Sequence, residues 1–102
     1  MQTPVEIQDV EQMRRRVGID DVELREQVRR LRVGDVVRLT FLAGVGKAET
    51  LAVRVTAIRR GRFSGELLAA AKAPQLAGLS HGSPVTFTRA HVHSVPKSPR
   101  QG

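Results

Sequence analysis

The sequence predicts an α+β fold in which an N-terminal pair of short helices packs on a curved, mostly antiparallel sheet, or small barrel, of four to five strands. The main observation is that hydrophobic residues recur every three or four positions before Gly34 and every second position after it. The length of 102 residues suits one small core. We therefore expect one domain over residues 1–95, with the helical pair in 3–32, a β-rich body in 33–95 and a disordered tail in 96–102.

The first helix is predicted from the stretch TPVE. Thr3 is a suitable N-cap, Pro4 suits the first helical position, and Glu6 completes a capping box. Gly18 is a suitable residue to end the helix. The apolar stripe between these ends consists of Ile7, Val10, Met13 and Val17.

The second helix is predicted to begin at once. Asp20 is a suitable N-cap, and Ile19 and Leu24 occupy the positions of a hydrophobic staple. Glu26 and Arg30 have the spacing of a stabilising ion pair on one helix face. We expect this helix to end near Arg32. Its apolar face consists of Leu24, Val28 and Leu31.

Two short helices joined by a turn also invite a helix-turn-helix interpretation. A DNA-reading helix needs base-contacting side chains near its N-terminus. This end carries Asp20, Asp21 and Glu23 instead, and carboxylates repel phosphate. A helical hairpin packed on the sheet is therefore the favoured interpretation.

Alternating runs predict the strands of the β-rich body. The runs are VGDVVRLTFL, TLAVRVTAI, RFSGEL and SPVTFTR, and AHVHSV is either a short final strand or a corner. Alternation assigns Arg38, Thr40, Arg54 and Thr56 to the solvent face. The residues expected to face the core are Val37, Leu39, Phe41, Leu51, Val53, Val55, Phe63, Gly65, Leu67, Val85 and Phe87.

The stretch AIRRGRFSG is predicted to be the turn of a β-hairpin. Gly61 is the residue able to adopt a positive φ, and Ile58 and Phe63 are candidate core anchors on either side. The later connection LAAAKAPQLAGLSHG breaks the alternation, and we expect Leu76 and Leu79 to pack it against the core.

The charge is strongly basic and unevenly distributed. The net charge of +7 lies entirely in residues 35–102, which hold three acids and ten bases, whereas residues 1–34 hold seven of each. Such an excess favours an anionic partner. The alternative is an ordinary charged surface in a chain that prefers arginine, which outnumbers lysine fourteen to three.

The ordered features of the β-rich body form a recognisable series. They are the Gly-Asp start of VGDVVRLTF, the Glu-led ETLAVRVTAI, Phe63-x-Gly65-x-Leu67, Pro74, and the spaced set Leu79, Gly82, Val85 and Phe87. This series resembles a family of small bacterial proteins grouped as a domain of unknown function, over about residues 33–95. The resemblance implies a small α+β or barrel-like domain and no particular activity. The chain departs from the family pattern in lacking a tryptophan after Glu49 and an acid at Ser83.

Several kinds of site would need residue patterns that the sequence does not supply. AGVGKAET has neither the spacing nor the following helix of a phosphate-binding loop. His91 and His93 share a strand face but have no local third ligand, and His81 lies ten residues away from His91. Glu49 and Glu66 would act as an acid–base pair only if the sheet joined them. We expect no enzyme activity, cofactor, metal or membrane insertion, and a cytoplasmic location.

Five arginines remain as the candidate site. Arg38, Arg54, Arg59, Arg60 and Arg62 are expected to project into solvent, and guanidinium groups bind phosphates. The chain has no Trp or Tyr and its three Phe fall on the core side, so base stacking is not expected. We predict a non-enzymatic module that binds a nucleic-acid backbone or another polyanion. The alternative is an adaptor that binds an acidic protein through the helical pair.

Overall fold

The computed structural model describes residues 6–18 and 20–96 and has the α+β architecture predicted from the sequence. Thr3, Pro4, Ile19 and residues 97–102 lie outside the described part, and so do the predictions made for them. In chain order the elements are α1 (Val10–Arg16), α2 (Val22–Arg29), β1 (Val36–Leu42), β2 (Ala48–Arg59), β3 (Arg62–Leu67), a 3-10 turn (Pro74–Leu76), β4 (Pro84–Thr88), a second 3-10 turn (Arg89–His91) and β5 (Val92–Ser94).

The five strands form one antiparallel sheet in the order β4-β3-β2-β1-β5. The two outer strands are consecutive in the chain and are joined only by the turn Arg89–His91. Four inter-strand spacings of a flat sheet would separate them by about 19 Å, whereas a three-residue 3-10 turn rises about 6 Å. The sheet must therefore curl. No ladder joins β4 to β5 in the described chain, so the sheet stays open and the small-barrel form of the prediction is not adopted.

The inner face of the curved sheet forms the core. The predicted alternation is confirmed in β1, where Val37, Leu39 and Phe41 are fully buried. Phe63 of β3 and Phe87 of β4 face each other in register, and their rings stack 5.2 Å apart. Other buried residues that were predicted from the alternation or from the connection are Leu51, Val53, Val55, Leu67, Leu76 and Leu79.

Two buried positions of the sheet, Gly65 and Thr40, have a different environment from the rest. Gly65 lies so close to β2 that a Cβ atom would stand 2.5 Å from Val53 Cγ1, so this position has room for glycine alone. Thr40 is buried although the alternation assigned it to the solvent face. Its hydroxyl bonds to that of Thr50, its partner across the sheet, at 2.9 Å, so its burial leaves no unpaired polar group.

The predicted start of the first helix is wrong. The helix begins at Val10, and Asp9 is the N-cap, since its carboxylate accepts from Gln12 N–H at 2.8 Å. Ile7 is instead bridged to Phe41 of β1, and the hydrogen bonds of its neighbours to β1 hold this segment extended. Because Ile7 belongs to the sheet edge, the predicted stripe is broken, and Val17 is left 66% exposed.

The second helix is shifted at both ends. Asp21, not Asp20, caps it by accepting from Leu24 N–H at 2.9 Å. The helix ends at Arg29, where we expected Arg32, because the chain turns there to bury Leu31 in the core. The predicted pairing of Glu26 with Arg30 is also wrong. The carboxylate contacts Arg29 at 2.9 Å instead, since the helix ends before Arg30.

Candidate nucleic-acid interface

The β2–β3 hairpin ends in a two-residue turn, and the turn with its two flanking residues carries most of the candidate charge. Arg59 and Arg62 are directly opposite each other, and Arg60 and Gly61 connect them. The φ angles of Arg60 and Gly61 are 46° and 80°, both positive as a type I′ turn requires. The predicted hairpin turn is thus confirmed. We call residues 59–62 the hairpin tip.

A β-bulge in β2 determines which way the tip residues point. The register shifts between Val55 and Ala57, so Ala57 pairs with Ser64 on the outer face. Arg59 and Arg62 consequently share that outer face. The shift also places Ile58 opposite Phe63, but Ile58 is 39% exposed. The expectation that Ile58 anchors the core is therefore wrong, because the core does not extend to the end of the hairpin, whereas Phe63 is buried as predicted.

The three arginines of the tip have no acidic partner among residues 6–18 and 20–96. All three side chains belong to exposed residues. Like charges directly across two strands repel each other, and this repulsion adds to the cost of holding Arg60 at a positive φ. The tip is therefore a concentrated positive charge that its own neighbours do not neutralise.

Arg54 and Arg38 lie apart from the tip. Arg54 is opposite Glu66 on the outer face, and the two side chains form an ion pair of 3.5 Å. Arg38 lies on β1, paired in register with Ala52 on one side and Ser94 on the other. The structure therefore brings three of the five candidate arginines together and neutralises a fourth locally.

Arg89 is a basic residue near the tip that was not among the candidates. It directly follows Thr88, which is the register partner of Arg62. The sequence signal was its position as the last residue of the predicted strand SPVTFTR. The alternation alone does not reveal which strand end it adjoins, because that depends on the β3–β4 register.

Aromatic side chains are not available for stacking on bases. Phe41, Phe63 and Phe87 are all buried in the core, as the alternation predicts. The chain has no other aromatic residue apart from histidine. Contacts to nucleic acid from this face would therefore be made to phosphates.

Two of the three histidines, His91 and His93, have structural partners. The Nδ1 atom of His91 accepts from Thr88 N–H at 3.0 Å, which holds the turn between β4 and β5. The Nδ1 atom of His93 lies 3.1 Å from the Ser94 hydroxyl. Within the described ranges no group of three or more metal-ligating side chains is placed to hold a metal ion.

The two carboxylates of the β-rich body are far apart. Glu66 lies opposite Arg54, while Glu49 lies five residues earlier on β2, a separation of about 16 Å along the strand. The Glu49 carboxylate accepts from the backbone N–H groups of Lys72 and Ala73 at 2.9–3.0 Å. The N–H of Lys72, and then that of Ala73, lowers the pKa of Glu49 below its ordinary value. Glu49 thus anchors the β3–β4 connection to β2.

The helices of the described residues and the comparisons with known proteins give no further indication of function. None of the helices in the described part of the chain is long and apolar enough to cross a membrane. Comparisons with protein-family models, curated proteins and solved structures find no match for the chain.

Proposed function

We propose that the protein is a non-enzymatic module that binds the backbone of a nucleic acid through the hairpin tip. One observation carries this proposal: the tip concentrates three unpaired guanidinium groups in a conformation that local stability disfavours. Arg60 holds a positive φ where Asn or Gly would be preferred, and Arg59 faces Arg62 across the hairpin. Residues that oppose local stability are expected at functional sites.

The chemistry of the tip suits phosphate. A guanidinium group donates two parallel hydrogen bonds to one phosphate, and arginine keeps its charge at all physiological pH values. The burial of all three phenylalanines removes the stacking that single-strand binding needs. We therefore expect binding that is independent of sequence and strongly dependent on salt. A cytoplasmic location goes with this proposal.

An electrophoretic mobility-shift series with mixed-sequence DNA and RNA tests the proposal. Wild-type protein is expected to shift at low salt and to release as salt rises. The triple variant R59S/R60S/R62S is expected to bind much more weakly. If three phosphate contacts are lost from a B-DNA complex, the slope of log affinity against log salt falls by about 2.7.

The matched control removes three positive charges elsewhere, in R16S/K47S/K72S. Lys47 and Lys72 lie near the end of β2 remote from the tip, and all three residues are exposed. If the tip is the site, this control keeps more of the wild-type affinity than the tip variant. Equal losses in both triple variants, or no shift by wild-type protein at low salt and micromolar concentration, would overturn the proposal.

A second candidate function is a protein adaptor that uses the helical pair. The observation in its favour is that three large apolar residues of this region are exposed, at Met13, Val17 and Val22. Apolar contacts do not weaken with added salt as phosphate contacts do. A partner that binds this surface would be retained at high salt and lost in V17S/V22S, whereas the nucleic-acid proposal predicts the opposite salt response.

A further inference from the structure

A cleft is lined by the two helices, the turn Arg89–His91 and β5. Its volume is about 370 Å³, within the usual range of small-molecule sites. Its apolar lining consists of Val10 of α1, Leu24 and Val28 of α2 and Val92 of β5; the three valines are almost fully buried and Leu24 is partly exposed. Arg14 closes one side, since it donates to the His93 carbonyl oxygen at 3.2 Å. The cleft is thus formed by three elements that are tied together.

The charges around the cleft nearly cancel. Three acids line it, and each is paired with a lining arginine: Arg14 with Asp21 at 3.4 Å, Arg15 with Glu11 at 3.3 Å, and Arg25 with Asp20. The fourth lining arginine, Arg89, has no acidic partner in the part of the chain that the structure describes. The cleft therefore presents an apolar floor and one unmatched positive charge.

We propose that this cleft binds a small monocarboxylate with an apolar body, with Arg89 holding the carboxylate and the apolar lining, of which Leu24 is the partly exposed member, contacting the apolar part. One unmatched guanidinium neutralises one negative charge and offers two parallel donors to a carboxylate. A phosphate dianion fits poorly, because its second negative charge would meet no further unmatched arginine in the lining. A neutral apolar molecule would leave Arg89 without a partner. This site is independent of the proposed nucleic-acid function.

Titration of the full-length protein with octanoate, followed by amide chemical shifts, tests the proposal. Octanoate is expected to shift the amides of Val10, Leu24, Val28 and Val92. Octan-1-ol and inorganic phosphate, used as matched probes, are expected to bind at least tenfold more weakly. Arg89→Gln is expected to weaken octanoate binding about tenfold, the loss typical of a charge-assisted hydrogen bond.

Two control variants show whether octanoate binds at the cleft and not at other arginines of the surface. Arg16→Gln removes an exposed arginine that does not line the cleft, and R59S/R60S/R62S removes the charge of the hairpin tip. Both variants are expected to bind octanoate with wild-type affinity. The proposal is overturned if octanoate produces no shifts in the cleft, if octanol binds as well as octanoate, or if Arg89→Gln binds as tightly as wild type.

Discussion

Arg60 holds a backbone conformation that costs free energy for most side chains. It is the one residue other than glycine with a positive φ in residues 6–18 and 20–96. Asn before Gly is the preferred pair for a type I′ turn, since Asn tolerates the left-handed region. The side chain at this position therefore affects both the stability of the hairpin and the charge of its tip.

Arg60→Asn is expected to raise the free energy of unfolding by about 1 kcal/mol, because it relieves the left-handed strain. It is also expected to weaken nucleic-acid binding and to lower the salt slope by about 0.9. Urea unfolding measures the first effect and mobility shifts measure the second. Arg60→Lys is the control, since it keeps the charge and the strain. An Arg60→Asn protein that is less stable than wild type would contradict this account of the turn.

The hairpin tip shows which features of single residues the sequence predicts and which it does not. Gly61 and the alternation on either side of it predicted the turn, because turn chemistry is local. The bulge between Val55 and Ala57 left no such signal, and it changes the face on which every later residue of β2 lies. The pairing of Arg54 with Glu66 and the position of Arg89 likewise depend on register between strands, which the alternation does not determine.

At the scale of the elements, the β3–β4 connection is tied to β2 by the carboxylate of Glu49. It has a single 3-10 turn, and the Glu49 carboxylate of β2 accepts from its Lys72 and Ala73 N–H groups. These bonds favour the ionised carboxylate, which lowers the pKa of Glu49 in the folded protein. The unfolded chain then binds more protons as the pH falls below the ordinary value of 4.5. The contribution of Glu49 to stability is therefore present above that pH and lost below it.

Glu49→Gln is expected to lower stability at neutral pH and to make stability depend less on acid. Urea midpoints at about pH 7 and about pH 3 measure this change. Hydrogen exchange at the amides of Lys72 and Ala73 gives a local readout, and their protection should fall. Glu66→Gln serves as the control, because its ion pair with Arg54 is half exposed and such pairs contribute little. An unchanged acid dependence in Glu49→Gln would show that this anchor does not contribute.

The buried faces of strands, which have a clear hydrophobic period, were predicted better than the ends of helices. The inner faces of β1, β2 and β3 follow from alternation, since one buried face determines the pattern. The start of α1 did not follow, because Thr3 and Asp9 are both acceptable caps in the sequence. The choice between them depends on Ile7 bridging to Phe41, a contact between residues distant in the chain.

At the scale of the whole molecule, α2 and the sheet share one hydrophobic core, and other contacts hold the segment around α1 to the sheet. The core cluster contains Val28 and Leu31 from α2 and its extension, together with residues of all five strands. Arg14 ties α1 to β5 through the His93 carbonyl, and Ile7 ties the preceding segment to β1. Deletion of the helical pair would therefore expose the core, so point variants are the better tests of the function of the helical pair.

This shared core predicts one cooperative unfolding transition. Val28→Ala removes two buried methyl groups and is expected to lower the free energy of unfolding by about 2 kcal/mol. Because the chain has no Trp or Tyr, scanning calorimetry is the suitable measurement, with helical circular dichroism as a second probe. Both are expected to shift together, with equal calorimetric and van't Hoff enthalpies. Val22→Ala is the control on the same helix, since Val22 is exposed and its replacement should change stability by no more than about 0.5 kcal/mol. Two separate transitions, of which Val28→Ala moves only one, would show that the helices and the sheet unfold independently, because a residue within a common core must affect both.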